Sequence, residues 1–185
     1  VTEGPTGGQR VTRTTVDWLG RTVAETRPAW PSGELTTAYA YYPVNVFGAG
    51  QLKKTWTEDP NGAKVRAPEL HEYNALGNLV RSGLDLDEND ALVLTGSNDR
   101  YTETTVTYSN TSGLHRITTT QIATEAGLVT TGTTQERLTS FPADTIRDVL
   151  SYDVHGNATH RLTTVTPATR TVTETIDHPD STTDE

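Results

Sequence analysis

The chain has no cysteine and no methionine, and only two phenylalanines among its 185 residues. Without cysteine there is no disulfide, thiol nucleophile or cysteine-ligated zinc, and the redox compartment stays open. Hydrophobic residues make up 32%, where a single well-filled core draws on close to half. No window approaches the ~20 apolar residues of a membrane span, so no span is expected. No leader is visible, and an opening at Val1 fits a fragment or a processed product. With a net charge of −9 and a pI near 5.0, the chain repels polyphosphates, and nucleic acid is not expected as a partner. No Gly-x-Ser-x-Gly elbow, P-loop or dinucleotide glycine signature occurs.

What the chain has in quantity is threonine, about one residue in five, a β-branched type that suits extended backbone and keeps a hydroxyl for water. The threonines alternate with Val, Ile, Leu and Tyr and do not cluster with proline. Sheets with one wet face are therefore expected ahead of disorder or an O-glycosylated stalk. Alternation and turn signals place strands at 10–18, 21–26, 34–46 and 51–58. Two short strands fall within 64–81, and a short segment at 91–95 follows an acidic loop. A three-strand meander covers 101–109, 114–124 and 128–138, and further strands cover 146–152, 158–166 and 169–177. Residues 27–33 read as a loop, because two prolines remove donors and fix φ. Residues 143–150 offer a helical turn or two as an alternative, and no amphipathic helix of useful length is present. Val1 to Gln9 and the tail after Asp177 read as loose ends.

One short frame recurs. Tyr73-Asn74-Ala75-Leu76-Gly77-Asn78 returns as Tyr152-Asp153-Val154-His155-Gly156-Asn157, and as Val16-Asp17-Trp18-Leu19-Gly20-Arg21. A reduced copy, Glu58-Asp59-Pro60-Asn61-Gly62-Ala63, lacks the aromatic. An Asp or Asn side chain can bond the backbone two residues on and open a type I turn. Glycine three residues later takes φ > 0 and returns the chain to a strand through a bulge. The frame therefore predicts hairpins, with Asp17, Gly20, Asp59, Gly62, Tyr73, Asn74, Gly77, Tyr152, Asp153 and Gly156 as their structural turn residues. Tyr73 and Tyr152, at equal places in their units, are expected to pack near equivalent neighbours.

Tyr-Asp/Asn-x-x-Gly-Asn followed by Leu79-Val80-Arg81, with Asp59-Pro60-Asn61-Gly62 upstream, resembles the YD repeat of the Rhs (rearrangement hot spot) family. The resemblance implies an all-β fold in which antiparallel β-hairpin repeats join into a curved or spiralling sheet that forms a hollow shell. It implies a single array with approximate units 10–58, 59–100, 101–140 and 141–178, and loose ends 1–9 and 178–185. Such shells enclose a toxic C-terminal domain, and relatives occur in wall-associated and adhesion proteins. The core segment with self-cleaving aspartates, and any toxin domain, have no match here. The expected function is thus structural, with no catalysis and no cofactor, in a secreted or cell-surface bacterial protein. Expected partners are neighbouring repeats of a parent chain or other copies of this chain, paired through strand edges, and an enclosed toxin domain.

Three constellations bear on chemistry. Asp85, Asp87 and Asn89 fall on the first three liganding positions of an EF-hand-like loop, but Asp90 stands where glycine is needed and Gly96 where the bidentate Glu belongs. A solvated acidic loop is the preferred reading. His71, His115, His155, His160 and His178 form no His-Glu-x-x-His pair, and on one strand His155 and His160 would face opposite ways, so no metal site is expected. The aromatics Trp30, Tyr39, Tyr41, Tyr42, Phe47 and Trp56 gather in segment 30–56, with Tyr39 and Tyr41 on one face and Tyr42 on the other. They are expected to build the core, the alternative being a stacking platform that makes the chain a glycan-binding or adhesion module.

Overall fold

β-branched alternation and Asx–Gly turns leave the chain no route to a helix, and among the described residues every strand pairing is antiparallel. The computed structural model describes residues 2–3, 9–29, 32–94 and 98–178. Contacts divide the chain into two compact units, one ending at Tyr101 and one beginning at Thr102.

The first unit opens with a two-stranded pair, β1 (Thr2–Glu3) and β2 (Gln9–Arg10), joined as Thr2 with Arg10 and Glu3 with Gln9. At those positions the expected loose lead-in is a hairpin, and the rest of it lies outside the described residues. Then come β3 (Arg13–Val16), β4 (Thr22–Pro28), β5 (Glu34–Tyr41), β6 (Leu52–Glu58), β7 (Glu69–Tyr73) and β8 (Leu79–Leu84). Each pairs with its neighbour in the chain. Several boundaries differ from expectation: β3 covers only Arg13–Val16 of 10–18, and β8 runs past 81 to Leu84. Strand β4 runs on through Pro28, whose missing donor is tolerated at a strand's last position. Strand β5 stops at Tyr41 instead of Val46, because Pro43 removes a donor and Asn45, Gly48 and Gly50 adopt φ of 71°, 75° and 77°. Threonines meet across the ladder, Thr26 with Thr36 at 3.3 Å and Thr37 with Thr57 at 3.2 Å.

Burial in this unit is concentrated where the segment after β8 doubles back over β6 and β7. Leu70 and Leu92 are essentially inaccessible, with Pro68, Asp85 and Tyr101 beside them in the buried set. Burying each leucine contributes about 1.5–3 kcal/mol. Polar ties hold the segment down. Asp85 N donates to Pro68 O (2.9 Å), Leu92 N to Glu72 Oε1 (3.0 Å), Lys53 and Lys54 pair with Asp90, and Lys64 pairs with Glu88. The segment at 91–94 is irregular and not a strand.

The second unit is a meander of β9 (Arg100–Ser109, whose first two residues close the first unit), β10 (His115–Thr124), β11 (Gly127–Arg137), β12 (Thr145–Tyr152), β13 (Ala158–Thr166) and β14 (Thr171–Asp177). The helical alternative at 143–150 gives way to β12. A bulge between Thr120 and Gln121 leaves Thr131 unpaired in the ladder, and its hydroxyl donates to Thr120 O (3.2 Å). Buried side chains here are few, Val149 and Thr145, and every residue of β14 is exposed. Such a sheet stands on its ladders and cross-strand pairs. Asp148 joins three strands, accepting from Arg137 Nε (2.9 Å) and bonding His160 Nε2 (2.8 Å), while Arg137 Nη1 also donates to Ser112 O and Ser140 O.

Gly83 marks the tightest approach of backbone to backbone. A Cβ there would lie 2.2 Å from Arg100 O and 2.4 Å from Tyr101 Cα. Gly83→Ala is expected to destabilise the chain by about 3 kcal/mol in urea unfolding. Gly132→Ala, whose Cβ would stop 3.4 Å from Tyr152 O, serves as the mild control, and equal losses would contradict this packing.

Candidate functional site

The four recurrent frames adopt one geometry. In each, a side-chain oxygen accepts two backbone N–H groups: Leu19 and Arg21 on Asp17, Asn61 and Ala63 on Asp59, Leu76 and Asn78 on Asn74, His155 and Asn157 on Asp153. All eight bonds span 2.8–3.0 Å. The backbone closes beneath them, with each glycine N–H on the Asx carbonyl at 2.9–3.1 Å. Gly20, Gly62, Gly77 and Gly156 take φ of 78°, 81°, 78° and 82°, where an L side chain is strained. Three of the frames join paired strands. The one at Asp59 leads only to an isolated bridge between Glu58 and Lys64, after which the chain runs irregularly to β7.

The same bonds tune the aspartates. At Asp59 the Ala63 and Asn61 amides hold the carboxyl below its ordinary value, and at Asp153 the Asn157 side chain and amide do so. At Asp17 burial pushes upward but is outweighed by hydrogen bonds from Arg21 and Leu19, and the net shift is downward.

Tyr73 meets Tyr42 edge-on, with ring centres 5.8 Å apart, and covers Gly48. The described aromatics of 30–56 do not form the buried core. Tyr39 bonds Glu25, Tyr41 donates to Thr22 O beneath the Arg21 guanidinium, Tyr42 donates to His71 O, and Trp56 donates to Glu58. The three tyrosines are half-buried and reach neighbouring strands, Trp56 is half-buried and bonds within β6, Phe47 is exposed, and Trp30 lies outside the described residues. Leu70, Leu92 and Tyr101 fill the core role in their place.

The acidic loop is solvated from Leu86 to Asp90, as expected, and departs from that state at its first residue. Asp85 is wholly buried, and Asp99, which sequence reasoning missed, is buried against it. Oxygens of Asp85, Asp87 and Asp99 lie within 4.8 Å of one another, a donor set that could surround a hard cation. Its buried members already serve the loop. Asp85 accepts the Asn89 and Asp90 amides (3.1 and 3.0 Å), and Asp99 accepts those of Leu86 and Val93 (2.8 and 3.1 Å). Burial drives the Asp85 carboxyl upward against the pull of those amides, and a hydrogen bond with Asp87 and the charge of Asp99 push the same way. The cluster is a polar lock on a loop that has little apolar area to hold it. Its members come from both ends of the loop, and only the Asp85–Asp87 spacing was visible in sequence. His155 sits in the last turn and His160 on β13 against Asp148, so the two are not brought together.

No helix among the described residues is long and apolar enough to cross a membrane. No protein-family model matches the chain, and no curated protein matches it.

Two outcomes are expected from this geometry. Gly156→Ala meets no neighbouring atom within 4 Å, so its cost is backbone strain alone, about 1 kcal/mol in thermal or urea unfolding. An unchanged midpoint would mean the turn does not depend on φ > 0. Asp85 has a folded pKa raised above its ordinary 3.8, so the folded state holds that proton more tightly and ionisation opposes folding. Wild type should lose stability relative to Asp85→Asn as pH rises from about 4 through the raised value, and the gap should be constant at lower pH. Parallel stability curves between pH 4 and 8 would refute the shift.

Proposed function

We propose that the chain is a structural repeat segment that builds part of the wall of a β-sheet shell or surface scaffold, as in the YD-repeat proteins it resembles, without catalysis of its own. The observation that carries this reading is the fourfold recurrence of one turn, with the same oxygen taking the same two amides each time. One hydrogen-bond pattern at four places is what a duplicated unit would leave behind. Strands in each unit follow chain order, and most of their residues keep solvent contact. That arrangement suits a wall better than a ligand-enclosing domain. The natural setting we propose is a secreted or cell-surface bacterial protein, with neighbouring repeats as partners and an enclosed toxin domain in the parent chain.

The partner surface in this reading is a strand edge. Among the described residues, β14 pairs only with β13 and β3 only with β4, so one side of each offers backbone donors and acceptors to a further strand. β14 is the longer edge, and its Val172 and Ile176 are exposed. Sedimentation should show association that grows with concentration, and lysines at Val172 and Ile176 should suppress it while the β signature in circular dichroism stays unchanged. A chain that remains monomeric at every concentration, with rapidly exchanging amides along β14, would overturn the wall reading.

A further inference from the structure

Alternate turns of a meander share one end of the sheet. In the first unit, residues 17–21, 42–51 and 74–78 connect β3 to β4, β5 to β6 and β7 to β8, so all three lie at the same end. They are fastened side by side. Arg21 Nη1 donates to Gly50 O (3.2 Å), Gln51 Nε2 donates to Gly77 O (3.0 Å), and the Tyr73 ring covers Gly48. Turn tips in water are ordinarily polar. These carry Trp18 (89% exposed), Leu76 (85%) and Val44 (77%), with Phe47, Leu19 and Val46 also exposed.

Two further features set this rim apart. The first is charge. Within a chain of net charge −9, the three segments contain only Asp17 and Arg21 as charged residues, and these neutralise each other at 2.7 Å. At the other end of these strands the β6–β7 connection carries Asp59, Lys64 and Arg66. The second is backbone satisfaction. Leu19 and Arg21 N–H are held by Asp17, and Leu76 and Asn78 N–H by Asn74. In the middle turn Ala49, Gly50 and Gln51 N–H bond Val46, Tyr42 and Gly48 carbonyls. Those amides are bonded within the turns and can leave water without the penalty of an orphaned donor.

We infer that this rim is a lipid-contact surface, its three hairpin tips entering the uncharged outer layer of a bilayer while the sheet stays in water. Separate convex tips need a medium they can penetrate, whereas a protein partner would need a matching groove for each. An electrically neutral apolar rim on an acidic chain matches a zwitterionic lipid surface and gains nothing from an anionic one. Trp18 suits the interface, with an apolar ring and one polar N–H.

The test is flotation of the full chain with phosphatidylcholine vesicles, at low and high salt. Binding should be independent of salt and unaided by anionic lipid. Each of Trp18→Ser, Phe47→Ser and Leu76→Ser should weaken partitioning about tenfold, and the triple variant should abolish it. Val106→Ser and Ile146→Ser, at exposed strand positions, should bind like wild type, and unchanged melting shows that the tip variants are folded. The inference fails if wild type does not float, if binding requires anionic lipid and vanishes in salt, or if the strand variants lose binding as much as the tips. It fails equally if wild type self-associates and the triple tip variant abolishes that association, because the occupant of the rim would then be a second copy of the chain.

Discussion

One side-chain oxygen catching two backbone N–H groups is the interaction on which this structure depends. It holds the chain in a reversal short enough that each strand must fall beside the previous one, and the glycine three residues on absorbs the left-handed step that the reversal requires. At Asp17, Asn74 and Asp153 the result is a hairpin with the register already set. Asn74 does with an amide what the others do with a carboxylate. The essential feature is therefore an acceptor at that distance from the backbone, and charge is secondary.

A chain folded this way makes a sheet before it makes an interior, and the composition leaves it there. Threonine provides extended backbone without enough apolar area for a second layer. Stability falls to ladders, Thr–Thr contacts and side chains that cross strands, such as the Arg137–Asp148–His160 group. Where the segment after β8 doubles back, Leu70 and Leu92 supply a small interior, and Asp85 and Asp99 bind its backbone. Burial of the Asp85 carboxylate works against folding while it is ionised, and its upward shift is the visible sign of it.

Acidic residues thus do three separate jobs here. At turns they organise backbone and are drawn below their ordinary pKa, as at Asp59 and Asp153. Between strands Asp148 also ends below its ordinary value, because burial, which pushes it up, is outweighed by hydrogen bonds from His160 and Arg137. In the loop, carboxylates crowd one another, and the direction reverses. The same side chain is stabilised or opposed according to whether donors or other carboxylates surround it.

The sequence by itself determined the all-β class, the meander of 101–138 and the four turns, because alternation and turn residues are local signals and a short turn lays each strand beside the one before it. Strand ends were legible to within a few residues except where Pro43 and the glycines after it cut β5 short. Only the tertiary structure decided that Asp99 joins Asp85, that Asp148 bridges Arg137 and His160, and that Tyr42 meets Tyr73. Those pairings rest on strand register and on the path of an irregular loop, and neither leaves a local signature. The aromatics show the limit most plainly. Their clustering in 30–56 reads as a core, yet β5 and β6 present most of them half-covered on a sheet, and the buried positions went to two leucines and a tyrosine brought together by the loop's return. Burial is a property of what folds over a residue, and no stretch of sequence encodes that alone.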